Sequence, residues 1–221
     1  MTDLGMTEMV LTNAWKKQVT RLMDQKYPQA MKLGDSDFWI RMARLKDTLM
    51  GCLESGDGSF SIGLGNIPLL IVFPPNVINY PMQLRLNKFD TQFCHIKLPE
   101  VNNAESNAGH YAPYIILDVE ISDKPQGSPR YLEGLLRIRQ KRGLNFEEGI
   151  ALLGALNYDY PEIKPHNQIV LTGAQYGGFE DGLIACLDFA KSPATPIIDC
   201  VYSANSSTWN AIASCHQLTI G

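Results

Sequence analysis

The chain has 221 residues, of which 45% are hydrophobic, and a formal net charge of −4. This length and composition suit one globular domain with a sizeable core and exclude a largely disordered chain. The charge is uneven, because residues 143–221 hold two lysines against eight acidic residues. An acidic C-terminal part repels phosphate backbones, so the sequence disfavours general nucleic-acid binding.

The ends and the cysteines of the chain indicate its compartment. The first residues carry neither the basic stretch nor the apolar segment of a secretory signal. No run approaches the roughly 20 apolar residues that a membrane helix needs. The five cysteines form no Cys-x-x-Cys pair, which favours reduced thiols over a disulfide framework. The sequence therefore predicts a cytoplasmic protein without membrane association.

Two amphipathic helices are predicted at the N-terminus. Trp15, Val19 and Leu22 share one face of the first helix, which ends before Pro28. The second begins near Asp35 or Ser36, both competent N-cap residues. The apolar stripe of this second helix consists of Phe38, Met42, Leu45 and Leu49. The two helices predict a hairpin that covers one face of a later sheet.

The remaining pattern predicts strands with two further helices between them. One of these helices runs from Pro129 to Gly143, and the other starts at Asn145, where Glu148 completes a capping box. Strands are predicted at 67–73, 93–96, 114–119, 168–172, 183–187, 197–202 and 211–217. The sequence predicts an α+β fold: an N-terminal helical hairpin packed on a mixed, mostly antiparallel sheet with two further helices between strands. We expect a single domain, 1–221, with a helical part (1–53) and a sheet-containing part (54–221).

A dense basic run closes the helix predicted to end at Gly143. Its members are Arg137, Arg139, Lys141 and Arg142. Basic residues at a helix C-terminus complement the helix dipole, and such a run is usually a solvated face.

Two acidic residues end the central apolar strand that begins at Tyr114. Asp118 and Glu120 are two positions apart, so a strand projects both side chains to the same face. Carboxylates in this arrangement can bind a divalent cation or act as acid and base. The alternative is structural, with Asp118 capping a neighbouring element. Asp118 and Glu120 are candidate catalytic residues.

Two Cys–His dipeptides, Cys94-His95 and Cys215-His216, form a second candidate site. A thiolate beside an imidazole is a nucleophile, and the same residue types hold zinc. Neighbours on a strand point to opposite faces, so a catalytic Cys215 needs a histidine from elsewhere, such as His95 or His110. The alternative is that the cysteines are buried in the core. The spacing matches no zinc motif, and no metal ligands are predicted.

The C-terminal tail carries no charged side chain. Residues from Cys200 to Gly221 include no Asp, Glu, Lys or Arg. Such strands are typically central in a sheet or covered by a partner. Neutral hydrogen-bonding groups beside an aromatic ring also suit an uncharged polar ligand. The candidate ligand-binding residues are Trp209, Asn205 and His216.

Several segments, in order along the chain, are similar to a known family. They are Tyr27-Pro28, Phe38, Ile67-Pro68-Leu69-Leu70-Ile71-Val72, Pro113-Tyr114-Ile115-Ile116-Leu117-Asp118-Val119-Glu120, Leu144-Asn145-Phe146-Glu147-Glu148-Gly149-Ile150-Ala151-Leu152 and Ala213-Ser214-Cys215. The series resembles a family of uncharacterised bacterial proteins, a domain of unknown function known mainly from actinobacteria, over about residues 15–215. The chain departs from the family pattern at Asn145, where Thr or Ser is usual, and after Glu120. The resemblance implies a bacterial cytosolic protein and supplies no catalytic residues.

Two functions remain open from the sequence. The favoured one is a binding or accessory protein that uses the charge-poor C-terminal face for a protein partner or for self-association. The alternative is a small-molecule enzyme, possibly a hydrolase, with its site at Asp118 and Glu120. The sequence identifies no cofactor, and no spacing in it has the specificity of an established catalytic motif.

Overall fold

The computed structural model describes residues 3–55, 61–89, 94–103, 111–122, 128–163, 168–177, 182–189, 197–202 and 210–221. The helices in these ranges are α1 (Asp3–Asp24), α2 (Tyr27–Ala30), α3 (Asp35–Glu54), α4 (Tyr80–Leu86), α5 (Pro129–Ile138) and α6 (Phe146–Gly154). A 3-10 turn covers Leu98–Glu100, and a π-helical turn, Ala155–Asp159, continues α6. The strands are β1 (Ile67–Val72), β2 (Val101–Asn103), β3 (Tyr114–Ser122), β4 (Lys141–Gly143), β5 (Gln168–Tyr176), β6 (Leu183–Asp188), β7 (Ile197–Tyr202), β8 (Asn210–His216) and β9 (Thr219–Ile220).

The sheet runs in the order β1-β3-β8-β5-β6-β7, and the short strands β2, β4 and β9 pair with β5, β8 and β3. Strands β5 and β8 are parallel, and the other pairings between these strands are antiparallel. This arrangement confirms the predicted α+β fold with a helical hairpin on a mixed, mostly antiparallel sheet. The short helix α4 is an addition that the sequence pattern did not predict.

The helical hairpin of α1 and α3 packs on the β1 and β3 part of the sheet. Trp15, Val19 and Leu22 are buried, as are the four predicted apolar residues of α3. These side chains form one core with Leu69 and Leu117 of the sheet. The indole Nε1 of Trp15 donates to the Met42 carbonyl at 3.1 Å, which ties the two helices together. The helical periodicity of the sequence therefore identified the buried faces.

Helix α6 covers the opposite face of the sheet. Asn145 and Glu148 form the predicted capping box, which fixes the start of α6. Gly149 lies against Leu171 of β5 so closely that a Cβ would collide with the leucine side chain. This helix closes the largest core cluster, which also contains Phe146 and Cys215. Strands β3, β5 and β8 are therefore buried on both faces.

The backbone of β3 changes direction at Asp118. This residue has a φ of 51°, in the left-handed region that most side chains avoid and that Asp tolerates better than most. Ile116 and Val119 consequently belong to the same core cluster although they are three positions apart. Beyond this point β3 leaves β9 and pairs with β8. Asp118 therefore lies between the part of β3 that pairs with β9 and the part that pairs with β8.

The two outermost strands of the sheet, β1 and β7, have edge backbone groups that are hydrogen-bonded to other parts of the chain. On β1, the buried Gln18 amide donates to the Leu69 carbonyl at 2.6 Å and accepts from the Ile71 N–H at 3.0 Å. On β7, the His95 N–H donates to the Ile198 carbonyl at 2.8 Å. The Cys200 N–H donates to its neighbour's Oδ1, also at 2.8 Å. Occupied edge groups oppose pairing with a strand of another chain.

Two local predictions were wrong. The helix that begins at Pro129 ends at Ile138, and the chain reverses through Gln140, whose φ is 56°. Lys141 and Arg142 therefore belong to a strand and are largely buried rather than part of a solvated helix end. Among the described residues of 93–96, Cys94 makes one isolated bridge to β7 and forms no regular strand.

Candidate functional site

The predicted acidic pair meets a lysine that the sequence did not assign to it. The Lys141 ammonium lies 3.2 Å from Asp118 Oδ2 and 2.5 Å from Glu120 Oε2. Asp118 Oδ1 also accepts from the Gly63 N–H at 2.8 Å and from the Asn66 amide at 2.7 Å. The structure thus brings the two candidate carboxylates together. We call Asp118, Glu120 and Lys141 the acid–lysine cluster.

The charges of the acid–lysine cluster stabilise one another. Burial alone would raise the pKa of Asp118, but hydrogen bonds from Asn66 and Gly63 and the Lys141 ammonium outweigh burial and lower it. Burial would lower the pKa of Lys141, but its contacts with Glu120 and Asp118 outweigh burial and raise it. Asp118 therefore stays ionised and Lys141 stays protonated near neutral pH. Neither group is suited to exchange a proton there.

His216 lies beside this cluster. It is the register partner of Lys141 across β4 and β8. Its Nδ1 accepts from the Leu218 N–H at 3.1 Å. Burial, together with the charge of Lys141, lowers the pKa of His216 against the opposing effect of Asp118. The predicted ligand-binding histidine therefore lies next to the predicted catalytic pair.

A second polar group lies on the other side of β4, in the core. The Arg142 guanidinium binds Glu148 in bidentate fashion, at 2.7 Å and 2.6 Å. The Tyr114 hydroxyl donates to Glu147 Oε1 at 2.7 Å, and the Asn145 amide reaches the same hydroxyl at 3.3 Å. All five side chains are buried. We call Tyr114, Arg142, Asn145, Glu147 and Glu148 the α6 network.

The α6 network holds two carboxylates against one guanidinium. Burial raises the pKa of Glu147 to about 7, and the charge of Glu148 adds to this effect against the hydrogen bond from Tyr114. A pKa near neutrality suits an acid–base group. Glu147 is only 5% exposed, however. Its position at the start of α6 also explains it as part of the helix cap and the core.

The second predicted site is not assembled. Cys215 is fully buried in the core cluster, with Arg142 as its register partner on β4. His95 lies at the outer strand β7, where its Nδ1 is 3.4 Å from Asp199. Two strands separate β7 from β8, and the Cys94-His95 segment lies beyond β7, so these residues are more than about 14 Å apart at the usual strand spacing. His95 therefore cannot activate Cys215, and His110 lies outside the described residues.

One part of the charge-free tail, strand β8, lies at the centre of the sheet. Residues Ala211–Cys215 of β8 are buried between β3, β4 and β5. The sequence-based alternative of a central strand is therefore confirmed for β8, and the idea of an exposed partner-binding face is wrong for this strand. Its lack of charge follows from burial on both faces. Trp209 and Asn205, the other predicted ligand-binding residues, lie outside the described residues.

A third buried polar group connects α1 to the end of α6. Arg21 Nε donates to Asp159 Oδ2 at 2.7 Å, and Lys17 donates to the carbonyl of the same aspartate. The π-helical turn brings Asp159 to this position. A Cβ at Gly154 would collide with Arg21 and with Asn87, so glycine permits their close approach. These contacts join the helical hairpin to the rest of the fold.

Helix α5 presents an apolar face to solvent. Its inner residues Leu132 and Leu136 pack on the cluster of β5, β6 and β8. On another face, Tyr131 is 58% exposed, Leu135 36% and Ile138 80%. We call Tyr131, Leu135 and Ile138 the α5 ridge. No exposed apolar face was predicted for this helix, although the spacing of Tyr131, Leu135 and Ile138 at i, i+4 and i+7 was the signal that could have indicated it.

Two properties of the described residues concern metal binding and the membrane. No group of three or more His, Cys, Asp and Glu side chains is placed there to hold a metal ion. No helix in the described part of the chain has both the length and the apolar character to cross a bilayer.

Comparisons with known proteins give no relative for this chain. No model of a known protein family matches it. No curated protein matches it, and no solved structure does. A functional assignment therefore rests on the geometry of the described residues.

Proposed function

We propose that the chain is a binding protein that docks a segment of another protein through the α5 ridge. One observation carries this proposal: three large apolar side chains share a solvent-exposed face of one helix. Contiguous exposed apolar surface of this kind marks interaction sites more often than scattered single residues do. The proposed function belongs to the class that the sequence favours, a binding or accessory protein. Its docking surface, however, is on α5 and not on the C-terminal strands.

The edges of the sheet are already hydrogen-bonded, and this supports a helix as the docking surface. A partner strand needs a free edge, and the β1 edge is occupied by the Gln18 amide while the β7 edge is engaged by His95 and Asp199. Strand β8 is buried and offers no face. Among the described helices, α5 exposes three large apolar side chains on one face, whereas α1 exposes two, Met6 and Met9, and α3 exposes the adjacent Trp39 and Ile40.

The size of the ridge favours a partner segment over a second copy. It exposes on the order of 300 Å² of apolar surface, whereas a stable dimer of globular chains buries about 800 Å² on each partner. A helix or short segment of another protein needs less area, and such contacts are typically transient. We therefore take another protein, and not a second copy, as the occupant.

The alternative function, an enzyme with its site at Asp118 and Glu120, has less support. The lysine that joins the two carboxylates occupies the position a cation or a substrate would need. The directions of the Asp118 and Lys141 pKa shifts both favour fixed charges. These features are typical of an ion pair that holds a bent strand in place.

Photo-crosslinking at one position tests the proposed function. Tyr131 is replaced by a photoreactive phenylalanine analogue, and cells of the source organism that express this protein are irradiated. Tyr202 is the matched control, because it is exposed to nearly the same extent, 60% against 58%, and lies on β7. The proposal expects a discrete adduct from position 131 and none of that size from position 202.

Each other outcome of this experiment overturns the proposal. Equal adducts from both positions would show that exposure alone explains the reaction. The lack of any adduct at position 131 would show that the ridge meets no partner. An adduct of twice the mass of the chain would identify a second copy as the occupant.

We further propose that the chain belongs to the uncharacterised bacterial family that its sequence resembles. Two of the resembling segments support this proposal by their place in the fold. Residues 113–120 include most of β3, and residues 144–152 include most of α6. Side chains of these two elements are hydrogen-bonded to one another in the α6 network. The resembling segments therefore include residues that contact each other in the fold.

A further inference from the structure

The turn before β1 presents a single leucine to solvent. Leu64 is fully exposed, at 106%, and no other large apolar side chain of the described ranges is exposed as much. Exposed apolar residues that occur singly are ordinary on protein surfaces, so exposure alone assigns no role to Leu64. What distinguishes this leucine is the turn that carries it, residues 63–66, which we call the Leu64 turn.

Hydrogen bonds to β3 hold the Leu64 turn in one conformation. The Asn66 N–H donates to the Gly63 carbonyl at 3.1 Å, and Gly65 has a φ of 86°, as the third residue of a type II turn requires. Asp118 Oδ1 accepts from the Gly63 N–H and from the Asn66 side-chain amide, at the two ends of the turn. A Cβ at Gly63 would collide with the Asn66 side chain. The residues around Leu64 therefore have the identities that this geometry needs.

The fold does not require a leucine at position 64. Proline is common at the second position of a type II turn because it fixes φ, and the turn itself has no need of an apolar side chain there. A fully exposed side chain also adds nothing to the core. An apolar group on a fixed turn does favour binding, because little conformational freedom is lost when a partner covers it. Leu64 thus has the properties of a preorganised contact residue.

A short series of contacts joins the Leu64 turn to the α5 ridge. Ile138, the last residue of the ridge, is three positions before Lys141, which is at most about 11 Å of chain. The Lys141 ammonium binds Asp118, and Asp118 accepts from the Gly63 N–H beside Leu64. The ridge and the Leu64 turn therefore both lie near the first residue of β4.

The contacts in this series lie on the side of the sheet that α5 covers. Ser122 of β3 is the register partner of Ile212, which packs with the inner leucines of α5. Glu120 is two positions before Ser122 and shares that face, and the Lys141 ammonium binds Glu120 there. Helix α6 covers the opposite face of the sheet. One partner can therefore reach the α5 ridge and Leu64 without passing around the sheet.

We infer that the partner that docks on the α5 ridge also receives Leu64, in a hole between apolar side chains of its own. This inference rests on the proposed function and adds a second contact point to it. The ridge alone exposes on the order of 300 Å² of apolar surface, well below the roughly 800 Å² that each partner buries in a standard interface. Leu64 enlarges the apolar area that one partner covers, and its position beside the acid–lysine cluster assigns it to the partner on α5.

Reciprocal cross-linking tests this inference. With the photoreactive residue at position 131, Leu64→Glu should lower the adduct yield about ten-fold, because a charge then enters an apolar hole. Leu64→Met keeps the side chain apolar and should stay within about two-fold of wild type. Ile40→Glu is the matched control, because Ile40 is an apolar residue of α3 that is 50% exposed and belongs neither to the ridge nor to the turn. It should leave the yield unchanged.

A glycine variant separates the position of Leu64 from its chemistry. Gly65→Ala keeps the leucine but places a Cβ at a φ of 86°, so the turn should rearrange and the adduct yield from position 131 should fall at least about three-fold. Its control is Gly51→Ala, because Gly51 also has no heavy atom near its Cβ position but lies in helix α3. Equal yields from the two variants would overturn the claim that the turn positions Leu64.

The outcomes separate this inference from the proposed function. If position 131 cross-links specifically and Leu64→Glu changes the yield no more than Ile40→Glu does, the Leu64 contact is wrong and the docking surface stands. If position 131 gives no specific adduct in the otherwise unaltered chain, both are wrong.

A photoreactive residue at position 64 itself identifies the occupant. It should give an adduct of the same mass as position 131 gives, whereas Tyr111, which is 82% exposed and precedes the opposite end of β3, should give none of that mass when it is replaced in the same way. An adduct of a different mass from position 64 would assign Leu64 to another partner and overturn the inference. So would an adduct of twice the mass of the chain, which would identify a second copy.

Discussion

Lys141 and Arg142 are neighbours on strand β4 and carry their charges to opposite sides of the sheet. Lys141 binds Asp118 and Glu120 on one side of β4, largely buried, and Arg142 binds Glu148 on the other side, in the core. This alternation follows from the two-residue period of a strand. The short strand thereby anchors both the bend of β3 and the start of α6, and it directly follows the helix that we propose as the docking surface.

The Arg142–Glu148 pair should be essential for the fold. Because both groups are buried, Glu148→Gln or Arg142→Met leaves one charge without its partner, and each should lower the free energy of unfolding by about 3–5 kcal/mol. Urea unfolding followed by circular dichroism measures the change. Arg139→Met, at an exposed position, should change it by less than about 0.5 kcal/mol. Equal small effects of all three changes would show that the pair is dispensable.

Glu147 should make stability depend on pH. Burial raises its pKa in the folded chain to about 7, above the ordinary glutamate value of 4.5. Between these values the folded state holds a proton that the unfolded state has lost, so this group's contribution is present at low pH and declines as the pH rises to about 7. We expect a loss of about 3 kcal/mol between pH 4.5 and pH 7.5. The contribution of Asp118, whose pKa is lowered, is fully present over this pH range and is lost only at more acidic pH, when the carboxylate becomes protonated.

The variant Glu147→Gln isolates this effect, because the amide imitates the protonated acid. The difference in unfolding free energy between wild type and Glu147→Gln should shift by about 3 kcal/mol across the same pH range, to the advantage of the variant at pH 7.5. Glu8→Gln, on an exposed residue of α1, serves as the control. A pH-independent difference would contradict the raised pKa of Glu147.

The stability of the fold should depend on the left-handed backbone conformation of Asp118 and not on its charge alone. Asparagine also tolerates the left-handed region and keeps the acceptor for Gly63 and Asn66, so Asp118→Asn should cost about 1 kcal/mol. Asp118→Ala loses both properties and should cost about 2–4 kcal/mol. Urea unfolding of the two variants gives the comparison. If asparagine is as damaging as alanine, the ion pair with Lys141 is the main role of this residue.

Gln18 should protect the β1 edge. Gln18→Leu leaves the Leu69 carbonyl and the Ile71 N–H without a partner, which should cost about 2–4 kcal/mol. Hydrogen exchange measured by NMR should show the Ile71 amide losing protection by a larger factor than the amides of β5. Gln29→Leu, on an exposed residue, is the control. Unchanged exchange at Ile71 would mean that the edge is closed by other contacts.

The sequence predicted the parts of the fold that local patterns encode. The helical spacing of Phe38, Met42 and Leu45 identified the buried face of α3, and the Asn145 capping box placed the start of α6. The lack of charge in β8 indicated either a central strand or a strand covered by a partner, and the structure shows the first of these. These features depend on residues close together in the chain, which is why a single sequence is enough to find them.

The missed features depend on distant contacts or unmarked turns. The turn at Gln140 has positive φ without glycine, so no local pattern indicates that α5 ends at Ile138. Lys141 and Arg142 were consequently assigned to a solvated helix end. Their carboxylate partners come from β3 and from α6, and this pairing follows from the sheet arrangement. The pair Arg21–Asp159 joins positions 138 residues apart and has no local pattern.

The most direct measurement for the α5 ridge is the adduct yield from a photoreactive residue at position 131 in the Ile138→Glu background. Ile138 is 80% exposed, so this change should leave the urea midpoint nearly unaltered. A charged group in the centre of an apolar contact should reduce docking, and with it the adduct yield, at least about ten-fold. An undiminished yield in a variant that is still folded would contradict the claim that the ridge is a docking surface.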